Sequence, residues 1–165
     1  MEKLLILSDT HRNQKLLRQA VTNESGLTHI FHLGDNYEDM DENPDLLENK
    51  KLNKVPGIFH AGYIDGSIPA IQEISLTGWN FLLVHNVNDL KKISTHIDFV
   101  LFGHTHNWSY DIKNKIHFLN PGHLKSKKDR KRKATYIVMD ISDKVVQIYF
   151  KGINGKVINS EIVEK

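Results

Sequence analysis

The 165-residue sequence has no cysteine, no long apolar run and only four prolines. Without cysteine there are no disulfide bonds or thiolate ligands, so a bound metal would need histidine, carboxylate or amide donors. No stretch approaches the roughly 18 consecutive apolar residues of a membrane-spanning helix, and the first residues lead straight into strand-like sequence. We therefore expect a soluble, cytoplasmic protein that folds as a single domain over residues 1–165 and buries a sizeable core.

The formal net charge of +2 conceals one strongly basic segment, residues 125–133, in which seven of nine residues are basic and one is acidic. The rest of the chain therefore carries a charge of about −4. A polycation that coats nucleic acid spreads its charge over a face and interleaves aromatic residues for base stacking, and this segment does neither. It indicates either a lid that attracts phosphate or a mobile, solvated loop, and we do not expect a nucleic-acid partner.

Hydrophobic spacing divides the chain into an α/β half and a β half. In the first half, it predicts strands at residues 3–8, 28–33 and 55–61 and helices at 13–23 and near 44–51. In the second half, it predicts one helix at residues 87–96 and strands at 68–76, 79–84, 98–102, 108–112, 116–119, 134–141, 145–150 and 157–163. Two sheets that share one core, with helices outside them, satisfy this pattern.

Four groups of potential metal ligands directly follow predicted strands. They are Asp9-Thr10-His11, Gly34-Asp35, His85 and Gly103-His104-Thr105-His106. Chance supplies about 0.7 copies of Asp-x-His in this composition but only about 0.04 of Gly-His-x-His, so the combination is the signal. Residues i and i+2 of an extended segment point the same way, which lets each pair bind one metal or two adjacent metals. Ligands gather beyond the carboxyl ends of strands in α/β sheets, so the groups are expected to converge.

In this order the residues resemble the calcineurin-like metallophosphoesterase superfamily, specifically its small bacterial and archaeal phosphodiesterases. The family order is D-x-H, G-D, G-N-C-D, H-G, G-H-x-H and N-P-G-S, and the match extends over residues 4–123. The resemblance implies an α/β fold, a four-layer α/β/β/α sandwich with two mixed sheets. This agrees with the two halves of the predicted secondary structure.

The resemblance also implies a ligand set for two divalent metal ions. One metal would be held by Asp9, His11 and His106, and the other by His85 and His104, while Asp35 would bridge the two. Two such cations clamp a phosphate and activate a bridging hydroxide that attacks the phosphodiester. Manganese is the expected metal, and nickel, iron and zinc are alternatives that this ligand chemistry does not separate.

The third family motif departs from the pattern, because Gly62-Tyr63-Ile64-Asp65 places tyrosine where the family has an asparagine ligand. A neutral phenol is a poor ligand, so the second metal is expected to be bound more weakly. Asn36, Asn86 or a phenolate of Tyr63 are alternative donors. Asp65 is expected either to orient a ligating histidine or to stabilise a turn.

The last motif departs as well, because Asn120-Pro121-Gly122-His123 ends in histidine instead of serine. A histidine has the pKa range of a general acid that protonates a leaving group, although a histidine after a turn is more often simply solvated. The expected catalytic residues are Asp35, His85, His104 and His123.

Two functions remain open at this point. The first is a phosphodiesterase for a small phosphoester, with a nucleotide-like substrate suggested by the basic segment. The second is a protein-binding module, since a retromer subunit shares the family fold with a degraded metal site. A homo-oligomer is compatible with either function.

Overall fold

The computed structural model describes residues 1–165 and contains thirteen strands and two short α-helices. The strands are β1 (Glu2–Leu7), β2 (His29–His32), β3 (Lys51–Lys54), β4 (Ile71–Leu76), β5 (Trp79–Val84), β6 (Phe99–Leu101), β7 (Ser109–Lys113), β8 (Ile116–Asn120), β9 (Lys128–Asp129), β10 (Arg132–Lys133), β11 (Thr135–Ile141), β12 (Val145–Gly152) and β13 (Val157–Glu164). The helices are α1 (Gln14–Thr22) and α2 (Ala61–Ile64), and 3-10 turns lie at Pro44–Leu47 and Val87–Asp89. Neither helix is long and apolar enough to cross a lipid bilayer.

Both large sheets are mixed, and each contains three adjacent parallel strands. The six-stranded sheet has the order β13-β12-β11-β1-β2-β3, in which β1, β2 and β3 are parallel. The five-stranded sheet has the order β4-β5-β6-β8-β7, in which β5, β6 and β8 are parallel. Parallel strands place their carboxyl ends at one edge of a sheet, so the loops after them are neighbours.

The main core lies between the two sheets, where 18 buried hydrophobic residues from both sheets form one cluster. At its centre the rings of Phe81 and Phe99 stack with centroids 5.0 Å apart, and Phe31 meets Phe81 edge to face at 6.0 Å. A second cluster of 14 residues joins the outer face of the six-stranded sheet to α1. The α/β fold class with two mixed sheets is therefore confirmed.

Helix α1 follows the predicted amphipathic pattern closely. The Asn13 side chain accepts a hydrogen bond from the Leu16 backbone N–H and so caps the first turn. Leu16, Leu17, Ala20 and Val21 are the buried residues of the helix, and they pack in the second cluster.

Three predicted elements were wrong. The helix predicted near 44–51 is only the 3-10 turn Pro44–Leu47, because the backbone becomes extended at Glu48 (ψ 124°) and β3 begins at Lys51. The third strand is β3 at Lys51–Lys54 and not residues 55–61, because Pro56 cannot donate a ladder hydrogen bond and the chain turns there. The hydrophobic pattern did not predict β3, because β3 is an edge strand with a polar sequence and buries little apolar surface. The helix predicted at 87–96 is only the turn Val87–Asp89, while Leu90 and Ile93 still pack on the five-stranded sheet.

Replacing a phenylalanine inside the core between the sheets should destabilise the protein far more than replacing one on the surface. Phe81 is fully buried, so Phe81→Ala is expected to lower the free energy of unfolding by about 3–5 kcal/mol. Phe59 is 83% exposed, and Phe59→Ala should change it by less than about 0.5 kcal/mol. Urea denaturation followed by circular dichroism measures both, and equal effects would contradict this description of the core.

Candidate metal centre

The loops that carry the predicted ligands have unusual backbone conformations. Five of the six ligands lie in the left-handed region, with positive φ angles. They are Asp9 (φ 52°), His11 (46°), Asp35 (49°), His104 (67°) and His106 (55°). Each such residue costs on the order of 1–3 kcal/mol, and such residues cluster at functional sites, where the surrounding structure holds them. The loops are therefore preorganised by the fold.

Four of the ligands form one tight group, in which the ligand atoms of Asp9, His11, Asp35 and His106 all lie within 4.8 Å of one another. The His11 and His106 Nε2 atoms are 3.1 Å apart. Asp9 Oδ1 lies 3.2 Å from His106 Nε2, and Asp35 Oδ2 lies 3.3 Å from His11 Nε2. Two imidazole nitrogens and two carboxylates are a donor set for manganese, iron, nickel or zinc.

The remaining two ligands lie on the other side of Asp35. His85 Nε2 is 3.3 Å from Asp35 Oδ1, and His85 Nδ1 donates to the Leu33 carbonyl at 2.7 Å, which fixes the ring. The His104 ring meets the His85 ring edge to face, with centroids 5.3 Å apart. The two oxygens of Asp35 thus face different histidines, as a bridging carboxylate would. All six predicted ligands converge at one place.

Unsatisfied polar atoms test whether these residues fit a metal ion. Asp9 Oδ1, His85 Nε2 and His123 Nδ1 are the buried side-chain atoms without a hydrogen-bond partner in the protein, since the 3.2 Å and 3.3 Å approaches of the first two to His106 and Asp35 do not have hydrogen-bond geometry. A buried polar group without a partner costs about 1–3 kcal/mol, so each needs an explanation. Two of the three are the ligand atoms expected to hold a metal, one for each ion. The donor set and these two atoms therefore fit divalent cations.

The electrostatics keep the Asp9 carboxylate ionised. Burial opposes its charge, but the contact with His106 and the nearby histidines outweigh burial and lower the pKa of Asp9. The same contact raises the pKa of His106. Burial lowers the pKa of His11, although Asp35 opposes the shift. The cluster therefore offers an anionic oxygen to a cation.

The basic segment is attached to this centre. Strands β9 and β10 pair in a two-stranded ribbon, and its one acidic residue, Asp129, accepts a hydrogen bond from His106 Nδ1 at 2.7 Å. The Arg132 guanidinium donates to the Thr105 carbonyl between the two ligating histidines. Sequence reasoning missed Asp129 because it lies within a run of basic residues. Of the two roles expected for Asp65, the structure shows the turn, in which Asp65 accepts a hydrogen bond from the Ser67 backbone N–H at 2.8 Å.

A buried network supports the loop between Asp9 and His11. Asp39 accepts hydrogen bonds from the Thr10 hydroxyl and from the Arg12 backbone N–H. On the other side, His32 Nε2 lies 3.1 Å from the Thr10 hydroxyl oxygen. Since that hydroxyl donates to Asp39, His32 Nε2 carries the proton and donates to Thr10. The network holds Thr10 between two residues that each bind metal in the expected scheme.

The hydroxyl of Tyr63 contacts Asp89 and none of the six predicted ligands. It donates to the Asp89 carboxylate, with 3.1 Å to each oxygen, and burial together with Asp89 raises its pKa, which disfavours a phenolate. The glycine beside Asp35 is Gly57, where an added Cβ would lie 2.1 Å from Asp35 Oδ1. Gly57 comes shortly after β3, so Gly57-Ile58 is a second candidate for the Gly-Asn of the third motif, five residues before Gly62-Tyr63.

The two alternative amide donors have different environments. Asn86 Oδ1 accepts a hydrogen bond from the Asn88 backbone N–H at 3.0 Å, so this oxygen caps a turn. Asn36 has a left-handed backbone (φ 61°) and lines a cleft beside Asp35. Of the two, only Asn36 borders the metal centre.

His123 is buried instead of solvated. Its Nε2 lies 3.2 Å from the Arg132 carbonyl, and its ring lies 5.4 Å from the His106 ring, centroid to centroid. Burial lowers its pKa, so a proton on the unpartnered Nδ1 is disfavoured. The environment therefore stabilises neutral His123, and its role as a general acid stays a prediction.

Two cavities border the ligand cluster. The Phe59 cleft, about 420 Å³, is lined by His11, Arg12, Asp35, Asn36, Glu38, Gly57, Phe59, His60 and Ala61. The Trp108 cavity, about 400 Å³, is lined by His106, Asn107, Trp108, Lys131, Arg132, Lys133, Thr135, Gly152 and Ile158. Because His11 borders the first and His106 the second, the metal centre lies between them.

The chain belongs to the calcineurin-like phosphoesterase superfamily, whose domain profile matches residues 2–144. It is 28% identical over 156 residues to a probable metallophosphoesterase of Mycoplasma pneumoniae, covering 86% of this chain and 91% of that protein. A solved archaeal phosphodiesterase has the same fold, with a TM-score of 0.66 and 20% identity over 90% of this chain and 99% of the other. Zinc-bound Vps29 of Entamoeba histolytica matches with a TM-score of 0.69 and 18% identity over 98% of each chain.

The buried network makes a prediction about stability in acid. Burial lowers the pKa of His32 from 6.5 to about 4, so the unfolded chain takes up this proton first. The free energy of unfolding should therefore fall as the pH falls from 6.5 to about 4, by at most about 3 kcal/mol from this residue. Denaturation with a chelator at several pH values measures the effect.

In this experiment, His32→Gln should flatten the pH dependence within that window. The matched control is His96→Gln, because the His96 side chain is 52% exposed. If the His32 variant kept the full wild-type pH dependence, His32 would not be the buried neutral base described above.

Proposed function

We propose that this protein is a metal-dependent phosphodiesterase that cleaves a small, nucleotide-like phosphodiester with two divalent cations, manganese being the expected ion. The observation that carries the proposal is the position of Asp35, whose oxygens lie 3.3 Å from His11 Nε2 and 3.3 Å from His85 Nε2. One carboxylate between two sets of nitrogen donors suits a pair of cations. A cytoplasmic location and self-association belong to the same proposal.

The ligand residues would divide into two sets around Asp35. Asp9, His11 and His106 would hold one cation, and His85 and His104 would hold the other. When bound, the cations supply charge stabilisation for the phosphate and activation of a water nucleophile. Leu33 and Asp129 orient His85 and His106 through their second ring nitrogens, at 2.7 Å in each case.

The cavities favour a diester over a monoester. A phosphodiester carries two substituents, and a phosphate at the metal centre would have the Phe59 cleft on one side and the Trp108 cavity on the other. A monoester would leave one of them empty. Arg12 and His60 line the Phe59 cleft and provide cationic and hydrogen-bonding groups for one substituent.

Replacement of the bridging carboxylate tests the proposal. Asp35→Asn should reduce hydrolysis of bis(4-nitrophenyl) phosphate by about a thousandfold or more, because it removes several kcal/mol of electrostatic stabilisation. It should also lower the metal content measured by mass spectrometry after loading with manganese. The control is Asp65→Asn, in an exposed turn away from the centre. Metal-stimulated hydrolysis that survives Asp35→Asn would contradict the proposal.

The two candidate positions for the third motif give a second test. Ile58 follows the glycine that contacts Asp35, so Ile58→Asn is expected to supply the missing amide oxygen and raise manganese stoichiometry towards two per chain. Tyr63→Asn should not, because Tyr63 contacts Asp89. Metal content after dialysis at limiting manganese measures both. If Tyr63→Asn raised the manganese stoichiometry and Ile58→Asn did not, Tyr63 would occupy the position of the family ligand.

A protein-binding function is the second candidate, and exposed apolar side chains favour it. Phe59 is 83% exposed and Ile64 is 72% exposed, close together in sequence beside the Phe59 cleft. The Vps29 fold match is compatible with this function. Substoichiometric metal after growth with added manganese, together with no hydrolysis of any diester, would favour a binding module over an enzyme.

A further inference from the structure

The Trp108 cavity differs from the Phe59 cleft in its chemistry. None of its nine lining residues is acidic, whereas the Phe59 cleft contains Asp35 and Glu38. Lys131, Arg132 and Lys133 contribute three positive charges to one wall. Such a wall attracts a phosphate group in addition to any phosphate that the metal centre holds.

The cationic wall is held in position by the metal centre. Asp129 bonds to His106 and Arg132 bonds to the Thr105 carbonyl, so the ribbon is fixed at two points. Between its strands, Arg130 and Lys131 form a tight turn with φ angles of 47° and 68°. The lysines therefore belong to a built surface and not to a free loop.

An aromatic surface lies in the same cavity. Trp108 is 37% exposed, and its ring packs against Phe150 with centroids 5.1 Å apart. A partly exposed indole supported from behind can stack on a nucleobase, and base–aromatic stacking contributes about 1–3 kcal/mol per base. The indole ring of Trp108 suits the base of a nucleotide, and the cationic side chains suit its phosphate.

We propose that the Trp108 cavity binds a nucleotide unit of the substrate that carries its own phosphate group, next to the scissile phosphodiester at the metal centre. The base stacks on Trp108, and Lys131 and Lys133 contact the additional phosphate. The inference rests on the proposed phosphodiesterase function and narrows its substrate to dinucleotides or short oligonucleotides with a terminal phosphate.

Tryptophan fluorescence tests the cavity without hydrolysis. The chain has two tryptophans, and Trp79 is only 2% exposed, so quenching by a ligand reports on Trp108. Adenosine 5′-monophosphate, titrated into the full chain with a chelator present, should give saturable quenching. Lys131→Gln with Lys133→Gln should weaken binding about five- to tenfold, as expected for two exposed ionic contacts.

The matched control is Lys91→Gln with Lys92→Gln, which removes the same charge from exposed residues that line a different cavity. It should bind as the wild type does. Equal weakening in both double variants, or no saturable quenching at millimolar nucleotide, would overturn the proposal.

Steady-state kinetics with manganese separate this inference from the proposed function. Diadenosine dinucleotide with a 5′-phosphate should have a lower KM than the same dinucleotide without it, and the Lys131/Lys133 double variant should lose that preference. If the wild type hydrolysed both dinucleotides with the same KM, the cavity proposal would be overturned and the phosphodiesterase function would stand. No hydrolysis of any diester, with lysine-dependent nucleotide binding intact, would overturn the phosphodiesterase function and leave the cavity standing.

Discussion

The packing of the two sheets through one core is the constraint on which the site depends. Strands β1 and β2 belong to one sheet and β5 and β6 to the other, and the loops after them carry all six candidate metal ligands. Protein cores are close-packed, so contacts across the core, such as the edge-to-face contact of Phe31 from β2 with Phe81 from β5, hold the two sheets at a defined separation. Asp35 from one sheet and His85 from the other therefore meet at 3.3 Å without further adjustment.

Two glycines let the backbone pass close enough to the ligand side chains for Asp35 and His85 to come together. At Gly34 an added Cβ would lie 2.6 Å from His85 Nδ1, and at Gly57 it would lie 2.1 Å from Asp35 Oδ1. Each glycine admits the neighbouring ligand, while the ligands take left-handed conformations that the fold must stabilise. The two cavities beside the centre differ in charge, one mixed and one cationic, and in the proposed reaction they would give different environments to the two substituents of a diester.

Much of this arrangement could be predicted from the sequence, because strand ends and ligand pairs are local features. Asp9-Thr10-His11 and His104-Thr105-His106 each follow a buried apolar strand, and their spacing is meaningful without tertiary information. The third motif could not be located in this way, because β3 is a polar edge strand and two glycines that follow it, Gly57 and Gly62, each offer a match. Asp129 was also unpredictable, since its contact with His106 spans 23 residues and is formed only when the ribbon folds back.

The central claim is that Asp35 bridges two cations, and anomalous diffraction from manganese-soaked crystals tests it most directly. The account predicts two peaks that share Asp35, one among Asp9, His11 and His106 and the other beside His85 and His104. The second peak should be the weaker, since Ile58 offers no donor atom. A single peak without contact to Asp35, or no peak within this cluster, would contradict the account.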